Sequence, residues 1–222
     1  ITCKNNMFYI FNYLGEIVYS HDTENYLLAA PAIGEGYINN NSQNKEIWVP
    51  TFDSNGKILI YHNIDGNWNV FERSINKKIQ KGIALFDPNN DGITDWAYGT
   101  DDNTLEVSIL DQIDVYDVGG KVRSAPAIIK FNENEYLIIV PSKDDNMYGI
   151  NPLTGNVQFI YQTNGDVESP SFFEHLEFGT VIVFGSSDGL LHMIDTNGNS
   201  VNEWPKNING AIIGSPVISD ID

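Results

Sequence analysis

The stretch best equipped for chemistry is Asp87-Pro88-Asn89-Asn90-Asp91-Gly92-Ile93-Thr94-Asp95. Oxygen-bearing side chains stand at its first, third, fifth and ninth positions, glycine stands at the sixth, and the seventh residue, Ile93, has a backbone carbonyl to offer. Calcium is a hard cation that takes about six to eight oxygens, and alternate positions of a tight loop converge on one point. The expected metal set is therefore Asp87, Asn89, Asp91, Ile93 and Asp95. Three carboxylates this close repel one another unless a cation neutralises them. Tyr98 stands at the twelfth position, where the helix-flanked form of such a loop carries a bidentate glutamate, so this loop belongs between strands. A turn that satisfies its own backbone with Asp and Asn side chains is the competing reading.

The elements that would hold the loop repeat along the chain. A small residue followed by proline opens an apolar strand at Pro31, Pro126, Pro170 and Pro216, and Ile83 fills the same slot after Gly82. The steps between these positions are 52, 43, 44 and 46 residues. A second anchor keeps the same rhythm at Asn5-Asn6, Asn55-Gly56, Asp102-Asn103, Asp145-Asn146 and Asp188-Gly189. A third lies at Gly15, Gly66, Gly155 and Gly198, with Asp111-Gln112 as its degenerate member. Between the anchors, runs such as Lys57 to Tyr61, Leu105 to Leu110 and Leu190 to Ile194 are short and rich in β-branched, aromatic or aliphatic residues, and no segment sustains a helical period.

Four antiparallel strands recurring every 40 to 50 residues or so predict an all-β fold, a β-propeller of four-stranded blades forming one domain over residues 1–222. The longer step of the second repeat, 52 residues, places insertions in polar loops near Ile38 to Lys45 and Ser74 to Lys81. The chain starts at the close of a second strand, Ile1-Thr2-Cys3, and ends on an innermost strand, Ile212 to Ser219. The expectation is a five-bladed ring closed by pairing of the two ends, with an arc of a larger propeller as the alternative. The final Asp220-Ile221-Asp222 aligns with Asp87-Pro88-Asn89, the start of the calcium loop.

Composition narrows the partners. Thirty Asp and Glu against 12 Lys and Arg give a net charge of −18, which repels phosphate backbones and anionic membranes, so no nucleic-acid partner is expected. No apolar run approaches the length of a transmembrane segment, and the chain reads as soluble. Cys3 is the single cysteine, which rules out an internal disulfide and any cysteine-clustered metal site.

The phrases SSDGLLHMIDTNGNSVNEWP and KDDNMYGINPLTGNVQFIYQT resemble the repeats of quinoprotein-like propellers, the PQQ-like repeats. IALFDPNNDGITDWAYGT is similar to the FG-GAP and VCBS repeats of secreted bacterial proteins and integrin-type propellers. The resemblance implies the propeller fold and an extracellular, cell-surface or periplasmic setting. Enzymatic quinoproteins hold their cofactor with several tryptophans and often adjacent cysteines. Here Trp48, Trp68, Trp96 and Trp204 are scattered and only Cys3 exists, so PQQ is not expected.

Other residues offer less. Asp101-Asp102, Asp144-Asp145 and Asp188 occupy equivalent turns and read as solvated turn residues. His21, His62, His175 and His192 fall in different repeat phases, so they suggest no shared metal. Asn40-Asn41-Ser42 is a glycosylation sequon with meaning only in a eukaryotic secretory setting. No Ser/His/Asp arrangement or phosphate-cradling loop appears. The aromatics, Tyr37, Trp48, Tyr61, Trp68, Tyr98, Tyr116, Tyr148, Tyr161 and Trp204, either fill the wedges between blades or stack on sugars. The expected function is a non-catalytic, calcium-stabilised binding or assembly module with a protein or glycan ligand on a propeller face. A carbohydrate-binding propeller is the alternative.

Overall fold

A computed structural model describes residues 1–38, 45–132, 135–168, 170–175 and 177–218. Its strands form meanders, each sheet built from consecutive segments. The first sheet pairs β1 (Met7–Phe11) with β2 (Ile17–Asp22), and Thr2 bridges to Phe8 as the remnant of an inner partner. Four four-stranded antiparallel sheets follow. The second blade comprises β3 (Ala32–Glu35), β4 (Lys45–Pro50), β5 (Lys57–Ile64) and β6 (Asn67–Ser74). The third comprises β7 (Ala84–Phe86), β8 (Asp95–Gly99), β9 (Thr104–Ile109) and β10 (Gln112–Asp117). The fourth comprises β11 (Ala127–Asn132), β12 (Glu135–Pro141), β13 (Asn146–Ile150) and β14 (Val157–Gln162). The fifth comprises β15 (Ser171–His175), β16 (Gly179–Gly185), β17 (Leu190–Asp195) and β18 (Lys206–Asn207). β7 lies beside both β3 and β11, so the innermost strands neighbour one another and the sheets stack as propeller blades. Among the described residues no helix is long and apolar enough to cross a membrane.

Burial explains the sequence pattern. The second and third strands of a blade are covered on both faces, as in β8 and β12, so they read as near-continuous apolar runs. Outer strands such as β6 and β10 alternate or face solvent. Apolar clusters fill each gap between successive blades: Phe8 and Tyr61 between the first and second, Trp48 and Trp96 between the second and third, Val107 and Ile138 between the third and fourth, Phe159 and Phe184 between the fourth and fifth.

The turns carry the repeat. Asn6, Asn103, Asp145 and Gly189 each hold a positive φ, from 65° to 88°, immediately before a third strand, a position Asn, Asp and Gly tolerate. Turns into the outer strands sit at the opposite end of the blades, where Asp65-Gly66 and Leu110-Asp111 are two-residue hairpins with both central residues at positive φ. That end, which also bears the β7–β8 loop, is the upper face. The lower face carries the turns before the third strands and the links between blades.

Each inner strand starts at the residue after Pro31, Ile83, Pro126 or Pro170. Just before those steps, Lys81, Ser124 and Glu168 occupy corresponding positions in three successive repeats, and their side chains meet. Ser124 Oγ donates to Glu168 Oε2 at 3.3 Å, Lys81 Nζ lies 3.6 Å from the same oxygen, and Lys143 Nζ lies 3.2 Å from Oε1. Glu168 is 7% exposed. Glu168→Gln is expected to cost about 1 kcal/mol, because two partly hydrated ammonium groups then face a neutral side chain. Urea denaturation at low and high salt checks this, the loss shrinking as salt screens the lysines.

The two ends depart from the sequence expectation. Residues 211–218 form no strand; Ile212 donates its amide to Ser186, and among the described residues no hydrogen bond joins this segment to residues 1–11. Ile1 exchanges backbone hydrogen bonds with Tyr9 on its third-strand side, the side opposite to the one an innermost strand would take. Ile213 and Val217 are 74% and 93% exposed. Ser219 to Asp222, where the second calcium loop was expected to begin, and the sequon Asn40-Asn41-Ser42 lie outside the described residues.

Candidate functional site

The β7–β8 loop, residues 87–94, is folded by its own side chains. Asp87 accepts from the amides of Asp91 at 3.2 Å and Gly92 at 2.9 Å, and Asp91 accepts from the Ile93 amide at 2.8 Å. The Asn89 amide group donates to the other Asp91 oxygen at 2.9 Å. Asn90 and Gly92 supply the positive φ values, 58° and 79°, that turn the chain. Four of the five residues expected to ligate calcium thus lie on one loop, and the fifth, Asp95, opens β8 behind it.

Asp95 is the odd one. It is 2% exposed, its Oδ1 accepts from the Leu110 amide at 2.9 Å, and its Oδ2 has no partner. Burial pushes its carboxyl up to about 6; the Leu110 amide opposes this, and the charges of Asp91, Asp87 and Asp111 add to it. Among the described residues no three Asp, Glu, His or Cys side chains converge closely enough to hold an ion. In this conformation Asp87 and Asp91 spend their oxygens on loop amides. The donor types suit calcium, and the arrangement is that of a self-satisfied turn.

Both neighbouring blades clamp the loop. From the second blade, the Glu35 carbonyl accepts from Thr94 Oγ1 at 2.6 Å and from the Thr94 amide at 3.1 Å, and the Glu35 amide donates to Thr94 Oγ1 at 2.8 Å. From the fourth, Tyr136 Oη donates to the Asp87 carbonyl at 2.7 Å. Tyr136→Phe is expected to lower stability by about 1 kcal/mol, as the Asp87 carbonyl loses its partner. Guanidinium denaturation monitored by tryptophan fluorescence measures it.

Beside the loop a cleft of about 380 Å³ opens between the second and third blades, lined by Tyr37, Ile38, Phe71, Ile93, Asp95, Leu110 and Asp111. One oxygen of Asp111 accepts from Tyr37 Oη at 3.0 Å and from Arg73 Nη1 at 2.8 Å, locking the two blades together. The Tyr37 ring stands edge-on to Trp48 and Trp96, centroids 5.0 and 5.3 Å away, and Arg73 lies over Trp96. Burial pushes the Tyr37 phenol up to about 12.

The remaining candidates are structural. Asp101 forms a two-pronged pair with Arg123, at 2.8 and 3.1 Å, which lowers its carboxyl pKa. Asp144 accepts from Tyr148 Oη, and Asp188 from the amides of Leu190 and Asn164. His192 stacks on Phe184 with its Nδ1 3.1 Å from Tyr161 Oη, and burial holds its pKa below the ordinary value. His21 pairs with Tyr61 Oη and His175 stacks on Phe178. Trp48, Trp96, Tyr61 and Tyr98 are fully buried, so these rings fill wedges between blades. Sequence reasoning missed the two clamps and the Lys81-Ser124-Glu168 contact. The clamp residues had no signature, but the polar trio held one phase before the small-residue step.

No family model matches the sequence, and no curated protein matches it. Among solved structures, the chain is similar to BBS1N in a crystal structure in complex with ARL6DN soaked with lead, at a TM-score of 0.66 and 15% identity over 95% of this chain. A crystal structure of the same complex soaked with mercury gives a TM-score of 0.65 and 16% identity over 92% of this chain. The chain spans 62% and 59% of those two structures' lengths. At such identities the likeness concerns the fold, and it agrees with the stacked four-stranded blades in making this chain a β-propeller.

Proposed function

We propose that the chain is a non-catalytic binding and assembly module whose upper face receives a protein partner. The observation that carries this reading is the clamped β7–β8 loop: three blades hold a short, polar, surface-reaching segment in one place, which suits recognition. The BBS1N propeller, crystallised with another protein, supports it as a precedent of fold. Photo-crosslinkers placed at Leu110 on the upper face and at Lys121 on the lower test the reading in the native cell. A discrete protein adduct supports it; adducts to glycan alone, or none, sink it.

The proposal includes calcium at Asp87, Asn89, Asp91, Ile93 and Asp95 and a secreted or cell-surface setting, supported by the donor pattern, the net charge of −18 and the carboxylates crowded near Asp95. Isothermal titration with calcium is the check, with Asp91→Ala as comparison. Equal heats and melting temperatures for both proteins would leave the self-capped turn as the whole account. Carbohydrate binding has less support, since Trp48, Trp96, Tyr61 and Tyr98 are buried; glycan-array binding would revive it. The proposed ring is five-bladed, supported by the Lys81–Glu168 contact across the fourth blade, with an arc of a larger ring as the alternative. A Thr2→Cys, Ser215→Cys pair in a Cys3→Ser background should form a disulfide on mild oxidation if the ends meet, and its failure to form argues for the arc.

A further inference from the structure

The cleft between the second and third blades differs in character from the calcium loop beside it. Its lips are apolar and open to solvent: Leu110 is 64% exposed and Phe71 44%, although both are large side chains ordinarily drawn inward. Its floor is fixed by the Tyr37 ring wedged against Trp48 and Trp96. Its polar feature is Asp111, whose side chain is 57% exposed. Tyr37 and Arg73 hold one oxygen of Asp111, so the carboxylate is oriented before any ligand arrives. Asp95 lies behind the loop at 2% exposure, so the charge the cleft offers to solvent is the second oxygen of Asp111, the first being held by Arg73 and Tyr37.

The surroundings have the same sign. Asp65, Asp87 and Asp91 lie in the upper loops, where Glu35 is paired with Lys45, whereas Lys77, Lys78, Lys81, Lys121, Arg123 and Lys143 lie in the links and turns of the lower face. Those six are half of the chain's 12 Lys and Arg residues. The upper face therefore carries a disproportionate share of a net charge of −18.

We propose that this cleft seats a basic, apolar-flanked segment of a partner protein, a lysine or arginine against Asp111 with a neighbouring aliphatic side chain between Phe71, Leu110 and Ile93. This rests on the binding-module reading and names its partner's chemistry. The preset carboxylate supplies direction, the apolar lips supply burial, and the face as a whole steers a cationic segment inward.

The test is fluorescence anisotropy with a short fluorescein-labelled peptide alternating lysine and leucine. Two companion peptides replace lysine by norleucine or leucine by serine. Asp111→Asn and Leu110→Ser are each expected to weaken binding of the first peptide by about tenfold, the size of an interface anchor. Asp65→Asn, an equal change of charge on the next hairpin, should leave binding nearly unchanged. Leu110→Ser leaves the Tyr37–Arg73–Asp111 lock intact, so it separates lost recognition from lost folding. Equal weakening by Asp65→Asn and Asp111→Asn, or equal binding of the serine peptide, overturns the proposal by showing diffuse attraction only; so does no binding of the first peptide. A native adduct confined to Lys121 overturns it, and with it the choice of the upper face, while sparing the binding module itself; the absence of any protein adduct ends both.

Discussion

Replacing Gly36 with alanine should destabilise the domain by about 3 kcal/mol, from about 1–2 kcal/mol of left-handed backbone strain and a similar amount of overpacking. Gly36 holds φ at 82°, and a Cβ there would sit 2.2 Å from the Gly92 carbonyl oxygen, a rigid backbone atom. The chain must either separate at this point or change conformation. Both routes pull Glu35 away from Thr94, so the β7–β8 loop loses its hold on the second blade. The variant should therefore unfold at lower urea and show faster amide exchange at Thr94 and Gly92 than elsewhere. An unchanged midpoint would mean that the close approach of the two loops is not needed for stability.

Asp95→Asn should act in the opposite direction. With calcium removed by chelation, the variant is expected to be more stable than the native protein by about 1–2 kcal/mol near neutral pH, a discounted conversion of the upward pKa shift. The folded-state value is about 6 against 3.8 for an ordinary aspartate. A raised folded value means that the stability contributed by the protonated group is complete below the unfolded value and is lost as pH rises through the folded one. The native protein should thus weaken relative to the variant between about pH 4 and pH 6 and stay offset above. The amide keeps an acceptor for Leu110 and removes the charge. Saturating calcium should reverse the ranking, because only the native carboxylate is repaid by the ion. Urea midpoints across this range, with and without calcium, give the result; a variant less stable than the native protein in chelator would refute the buried-charge account.

How much of this was legible beforehand depended on what encodes it. Turn residues were readable because backbone sterics act within a few residues: Asn6, Asn103, Asp145 and Gly189 sit where a left-handed residue is required, and Asn, Asp and Gly are what the chain places there. Second and third strands were readable because burial on both faces demands unbroken apolar runs. The loop donors were readable as residue types, but their engagement was not, since an aspartate that caps an amide and one that ligates a metal look alike in sequence. The clamps from Glu35 and Tyr136 join residues that are 59 and 49 positions from their partners, and no local pattern reports such a contact. The Leu110-Asp111 hairpin ran against expectation for the same reason. An exposed leucine at φ 51° breaks the local rule that favours glycine, and only the neighbouring cleft makes sense of it.

The outer strands have a bearing on handling the protein. They present unpaired backbone along with side chains such as Val115, Ile160 and Phe71, an arrangement that invites strand-to-strand association. Asp114, Asp117 and Glu72 are interspersed among them, and the chain as a whole has a sequence pI of about 4.3. Mutual repulsion of carboxylates is then what keeps the rims apart. As that repulsion fades toward the isoelectric point, the same strands become sites of self-association, so solubility is expected to fall in acid before the net charge reaches zero.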